Sequence, residues 1–384
     1  MFPRFFFALF LFFVFENAAE GSVILRPSFS VTEEYTDNFH FTQQDKKEEL
    51  ITILSPGLII TQKKRDLILE ARYLGGIAQH LNDSSANRYR QALIMDIDLP
   101  FVSRSFKGLA VHFSERAEHS QNRYAMPNEK TGPELFVVER GRVETLSNRV
   151  SLQIDSKWSQ AWLSTFTYDN VNIHYRDSLL EDVLSHNINL SNRYNIDRDR
   201  SSLTISYGML HTDFEIAKSA NATHVSIGGG HLFDPTSSLY GTVGESWVEG
   251  GQKFISQIGA SKQAQFTLLS IDYLRSVEAG DGVVAAVVLR QGVSAEAAHP
   301  ITAKSLFALG LEYTNQSALS GPLAETFSTG LTAGISTRIS PTLSWSIRYA
   351  YVDDRGRGVV IEDAQRNSVS FTLYAFPVGW KQMR

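Results

Sequence analysis

The chain has 384 residues, no cysteine and a net charge of −5 with both signs spread throughout. The missing cysteines exclude disulfides and thiolate metal sites, and the absence of a basic stripe excludes a nucleic-acid surface. Mean hydropathy is −0.15, and no segment beyond the N-terminus is long and unbroken enough for a membrane-spanning helix.

Arg4 is followed by an apolar run from Phe5 through Val14 and Phe15, then by Glu16-Asn17-Ala18-Ala19-Glu20-Gly21. A run this short is below the ~20 residues a spanning helix needs, and the small residues suit cleavage. The expectation is therefore a signal peptide over residues 1–21, cut between Ala19 and Ser22, followed by one domain over residues 22–384. An exported chain without cysteines fits a bacterial envelope.

After that leader, segment after segment is apolar at every second position. Leu93, Met95, Ile97 and Leu99 alternate with Asp96 and Asp98, and Leu109, Val111 and Phe113 with His112 and Ser114. Leu203, Ile205, Tyr207 and Met209 alternate with Thr204, Ser206 and Gly208, and Phe307, Leu309, Leu311 and Tyr313 with Ala308, Gly310 and Glu312. The pattern returns in Phe327, Leu331, Ala333 and Ile335, in Leu343, Trp345, Ile347, Tyr349 and Tyr351, and in Val369, Phe371, Leu373 and Ala375. A strand sends successive side chains to opposite faces, so each segment presents one apolar wall and one wall of hydroxyls, glycines and charges.

Short turns are expected at 62–66, 103–107, 157–160, 195–200, 234–236, 261–263, 299–301 and 340–342. Longer polar loops are expected at 80–87, 119–133, 176–183, 215–222, 279–282, 315–324 and 353–365. Eight turns join nine hairpins, giving about eighteen strands, with sixteen the alternative. Residues 133–149 resist assignment, and 22–41 reads either as a strand or in part as a plug or tether.

Two architectures accommodate such strands: a soluble sandwich, or an antiparallel up-and-down β-barrel whose apolar face meets lipid. With the apolar face outward, Glu70, Arg72, Asp96, Asp98, His112, Arg116, Asp155, Glu312, Arg338 and Arg348 line the lumen. Burying that many charges in a sandwich core would cost several kcal/mol each unless paired. A watery lumen removes the penalty, so the expected fold is all-β, a transmembrane barrel in the bacterial outer membrane. Tyr73, Tyr313, Phe327, Trp345, Tyr349 and Tyr351 lie where interfacial girdles belong.

The stretch Arg26-Pro27-Ser28-Phe29-Ser30-Val31-Thr32-Glu33-Glu34-Tyr35-Thr36-Asp37-Asn38, followed by Ile51-Thr52-Ile53-Leu54-Ser55-Pro56-Gly57-Leu58, resembles an outer-membrane β-barrel porin family. That family is associated with the PEP-CTERM system and exopolysaccharide loci and includes EpsL-like proteins. The resemblance covers about the first hundred residues and implies an integral barrel in a setting of polysaccharide synthesis and export. It implies no catalytic residue and no particular sugar. From the residues alone, Pro56-Gly57 reads as a kink in the second strand. Glu33, Glu34, Asp37 and Asn38 read as an acidic turn, solvated or cation-binding.

No His-Glu-x-x-His, Gly-x-Ser-x-Gly, Walker or dinucleotide motif occurs. Gly228-Gly229-Gly230 lies in a strand-like segment, where glycine permits close packing. His112, His211, His224, Asp96 and Asp98 are the residues from which a catalytic group could be drawn, and chance proximity in a polar lumen explains them better. The expectation is a non-enzymatic barrel without cofactor or metal. Its partners would be outer-membrane lipid, polysaccharide or another hydrophilic solute, and periplasmic exopolysaccharide-export components. A general diffusion porin for small solutes, or a structural or adhesive surface barrel, are the alternatives.

Overall fold

The computed structural model describes residues 22–39, 43, 46–82, 84, 87–120, 144–176, 181–197, 200–215, 217, 219–249, 251–279, 286–319, 324–357, 363–376 and 380–382. The predicted signal peptide lies outside the described residues, as does most of the segment from 133 to 149.

Eighteen long strands run in chain order: β1 (Ser22–Thr36), β2 (Glu49–Lys63), β3 (Ile68–His80), β4 (Arg88–Asp98), β5 (Leu109–Ser120), β6 (Thr145–Lys157), β7 (Trp162–Tyr175), β8 (Val183–Asn195) and β9 (Ser201–Phe214). The other nine are β10 (Ala220–Asp234), β11 (Ser237–Val248), β12 (Gly251–Ala264), β13 (Thr267–Ala279), β14 (Val287–Pro300), β15 (Ser305–Ala318), β16 (Glu325–Ser340), β17 (Leu343–Arg357) and β18 (Ala364–Ala375). Each pairs antiparallel with its neighbours in sequence, and β1 pairs with both β2 and β18. That last pairing closes the sheet into a barrel, which leaves no unpaired edge for lipid to face. Among the described residues no helix is long and apolar enough to cross a membrane.

Residues 22–36 thus form a complete strand, not a plug or tether. A short β19 (Trp380–Gln382) pairs with Val23–Leu25 and extends the seam that β18 leaves after Ala375. The kink expected at Pro56 is a local gap. Leu54 faces Ile77 and Gly57 faces Leu74 in unbroken register, while the rungs at Ser55 and Pro56 are missing from the β2–β3 pairing. Proline has no N–H to give the ladder, and the strand passes over it without slipping.

One rim carries the short turns and the other the longer connections, the asymmetry of bacterial barrels. Three sequence expectations need correction. The turn placed at 261–263 is at Gln265-Phe266, where Gln265 has φ 51°, and Ser261 and Gln263 belong to β12. Their polarity reflects the inward face of a pleat, not a reversal. The loops begun at Asn315 and Asp353 start later, because β15 runs to Ala318 and β17 to Arg357. Strands continuing past the apolar belt become polar on both faces while keeping their ladder. The two-residue connection after Val248 was missed because it is so short; Gly251 closes it with φ 104°.

The turn expected at 103–107 contains a helix, α1 (Pro100–Ser105). Proline in the first helical turn has no N–H to leave unpaired, so it suits this position. Arg104 at its end reaches Asp66 of the neighbouring β2–β3 turn at 2.5 Å. The acidic turn also dissolves as a unit: Glu33 and Glu34 are consecutive in β1 and so point to opposite faces. Asp37 accepts hydrogen bonds from the backbone and side chain of Asn367, both at 2.7 Å, and ties the tip of β1 to β18.

Candidate lumenal site

Residues directly opposite in antiparallel register share a face, so a face can be followed around the barrel. Arg72 on β3 stands opposite Ile94, Ile94 opposite Arg116 on β5, and Arg116 opposite Arg149 on β6. One rung nearer the short-turn rim, Glu70 faces Asp96, Asp96 faces Ser114, Ser114 faces Ser151, and Ser151 faces Asp169 on β7. A row of three arginines therefore lies two residues above a row of three carboxylates. Most of these side chains line an internal cavity of about 1280 Å³, together with Arg88, Arg90, Arg348, Arg366, Glu34 and His112.

The opposite parity faces out. Ile205, Ile227, Ile258, Ile271 and Leu311 are each 50–53% exposed, and all lie on the non-lumenal face by register. Tyr73, Tyr313, Phe327, Trp345, Tyr349 and Tyr351 share that outward parity.

All ten residues expected to face the lumen have the inward parity, and the fold groups them unequally. Arg72 donates to Glu70 at 2.6 Å. His112 meets Asp98 at 2.8 Å and Asp96 at 3.9 Å. Asp155 accepts from Thr165 at 2.6 Å and from Gln153 at 2.8 Å. Arg116 meets Glu118 at 3.0 Å. Glu312 stands apart on β15, 3.9 Å from Arg290. Arg338 lies near the short-turn end of β16, and Arg348 projects from β17 between Gly334 and Ser370.

The sequence reading passed over Arg88, Arg90, Glu118, Arg149, Asp169 and Arg366. Its own rule of alternation identifies Arg149, which falls between Ser147, Ser151, Gln153 and Asp155. Glu118 matters most, because it meets Arg90 at 2.6 Å as well as Arg116. Arginines directly opposite one another, as Arg116 and Arg149 are, repel. Glu118 on one side and Asp169, 3.5 Å from Arg149, on the other offset that repulsion.

On the far wall Tyr240 donates its hydroxyl to Asp272, crossing over Gly259 on the strand between. A Cβ on Gly259 would collide with both partners, so glycine is what lets a tyrosine lie flat across the lumenal wall. His224 lies over Gly208 in the same manner. Of the five residues considered for catalysis, His112, Asp96 and Asp98 come together and the other two histidines stand apart. His211 has outward parity, and His224 stands on β10, five strands from His112 on β5.

At the long-loop rim, outside the membrane, Glu144 is bonded by His119 at 3.0 Å and by Arg176 at 2.6 Å. First the His119 hydrogen bond and then that of Arg176 hold its carboxyl below the ordinary 4.5. A depressed carboxyl contributes stability above its unfolded value and loses it as pH falls through the folded value. Thermal unfolding in detergent should therefore show wild type above Glu144→Gln at about pH 7, with the gap closing by about pH 3. An equal gap at both pH values would remove the assignment.

A closed barrel that turns exposed aliphatic and aromatic side chains outward and charges inward has its apolar surface in hydrocarbon. The chain is a transmembrane β-barrel, and eighteen antiparallel strands with this rim asymmetry place it in the bacterial outer membrane. Among solved structures it is similar to Pseudomonas aeruginosa OccK2 (OpdF) and OccK9 (OpdG), at 9% and 10% identity and a TM-score of 0.49 each. Both alignments cover 92% of this chain and 98% of the other. The siderophore receptor PirA from the same organism aligns with a TM-score of 0.47 at 9% identity, covering 91% of this chain and 80% of that one. Likenesses this distant say nothing of substrate or partner. No family model matches the chain, and no curated protein matches it.

Proposed function

We propose that the barrel is a porin-like channel through which small hydrophilic solutes cross the outer membrane. The observation that carries this reading is an inner face that sets rows of arginines and carboxylates among apolar residues around a cavity of about 1280 Å³, enclosed by a sheet without edges. Groups of both signs replace water around a passing solute, and many weak contacts let it leave as readily as it enters. No chemistry is required of the wall. Glu70, Arg72, Asp96, His112, Arg116 and Arg348 would line the passage at the cavity, with Asp98, Asp155, Glu312 and Arg338 along its remaining length. Export of exopolysaccharide, with periplasmic partners, rests on the opening segments of the chain alone, and the cavity suits a small solute better than a moving polymer.

Purified protein in planar bilayers should conduct, and proteoliposomes should swell in small sugars and progressively less as sugar size rises. A barrel that neither conducts nor admits the smallest sugar would return the structural or adhesive reading. Polymer trapped in the periplasm of a deletion strain would return the export reading.

A further inference from the structure

Asp96 and Arg116 are diagonal neighbours on adjacent strands of the cavity wall, Asp96 opposite Ser114 and Arg116 opposite Ile94. They form no ion pair with each other. The charge around each is incompletely compensated, with opposite sign. Glu118 is one carboxylate serving two guanidiniums, Arg90 and Arg116, which leaves an excess of one positive charge there. Arg116 Nε makes no hydrogen bond. Among the described residues the Asp96 carboxylate makes no hydrogen bond, and the imidazole of His112 stands 3.9 Å away. Glu70, directly opposite Asp96, is paired with Arg72 and so neither offsets nor adds to the charge of Asp96.

From this we infer that Asp96 and the Arg90–Arg116 pair form a subsite for zwitterionic solutes, holding an ammonium at Asp96 and a carboxylate at Arg116, with the carboxylate toward the long-loop rim. Two residues along a strand span about 7 Å. An extended dipeptide separates its charged ends by about the same distance. A simple anion would gain the arginines and meet Asp96 as repulsion, and a simple cation would meet the reverse. Only a solute carrying both charges satisfies both excesses at once. The inference rests on the channel reading and names a solute class for it.

The probes are glycylglycine, N-acetylglycine as the anion of similar size, and a neutral sugar, all in the liposome swelling assay. Glycylglycine should enter wild-type vesicles about three- to fivefold faster than N-acetylglycine, the factor one solvent-screened ion pair carries. Asp96→Asn should bring that ratio near one. Asp66→Asn, at a carboxylate of the β2–β3 turn paired with Arg104 and outside the passage, should leave the ratio as it was. A wild-type ratio near one, a ratio that survives Asp96→Asn, or one lost equally in Asp66→Asn overturns the subsite while sugar entry leaves the channel standing. Failure of the sugar itself to enter would remove the channel and the subsite together.

Discussion

An arginine at Ile258 should destabilise the barrel by about 2–4 kcal/mol, the cost of a cation on the lipid face near the bilayer midplane. Ile258 lies at the middle of β12, 52% exposed, opposite Gly241 on one side and Tyr273 on the other. About half of it is left uncovered by protein on the outward face, so lipid is its solvent there. An arginine at Gln257, one residue away, should cost about 0.5 kcal/mol or less, because that position faces water. Gln257 stands opposite Thr242 and Leu274 on the lumenal face. Denaturant unfolding from lipid vesicles measures both costs. Equal costs, or a greater one at Gln257, would mean that the two faces have been assigned the wrong way round.

Replacing Arg72, Arg116 and Arg149 together by glutamine should convert an anion-favouring passage into a cation-favouring one. The three share one cross-strand row on the cavity wall, and Glu70, Glu118, Asp96 and Asp169 remain around them. At an effective dielectric near 20 a unit charge 4 Å away is worth about 4 kcal/mol. A small surviving fraction of that interaction therefore suffices, since about 1.4 kcal/mol is tenfold in partition. The chloride-to-potassium permeability ratio from reversal potentials should fall about tenfold at 0.1 M salt. It should fall much less at 1 M, where the screening length shrinks to about 3 Å. An unchanged ratio at 0.1 M would show that the arginine row does not face the conducting path.

Much of the barrel is readable in residues taken two at a time. The alternation in Phe307–Tyr313 and Leu343–Tyr351 reports a period of two and a difference between the walls, and both are local properties of an extended chain. Polar clusters such as Asp234-Pro235-Thr236 mark reversals where β10 gives way to β11. The same signal misleads at Ser261-Lys262-Gln263, where Ser261 and Gln263 belong to the inward face of β12 near the rim. It also misleads at Asn315 and Asp353, where strands outlast the hydrocarbon. Composition does not distinguish a strand in water from a loop in water; a ladder of backbone hydrogen bonds does.

The functional wall was half legible. Inward parity for Arg72 and Asp96 follows from their apolar neighbours in sequence, and for Arg116 from continuing the alternation of Leu109, Val111 and Phe113. Their relation to one another does not, because Arg72 and Arg149 lie far apart in the chain and meet in one row only through the registers of β3 to β6. Glu118 illustrates the same limit. On its own strand it is another alternate charge, and only the approach of Arg90 from β4 makes it the carboxylate two arginines share.

The sequence by itself determined that these strands have one oily and one wet side, and which residues belong to each, because that choice is made within each strand by the pleat. The tertiary structure alone decided that β1 meets β18 to close the cylinder, and which charges stand side by side on its wall. Closure and register are fixed by hydrogen bonds between segments distant in the chain, and their alignment is a property of the whole sheet.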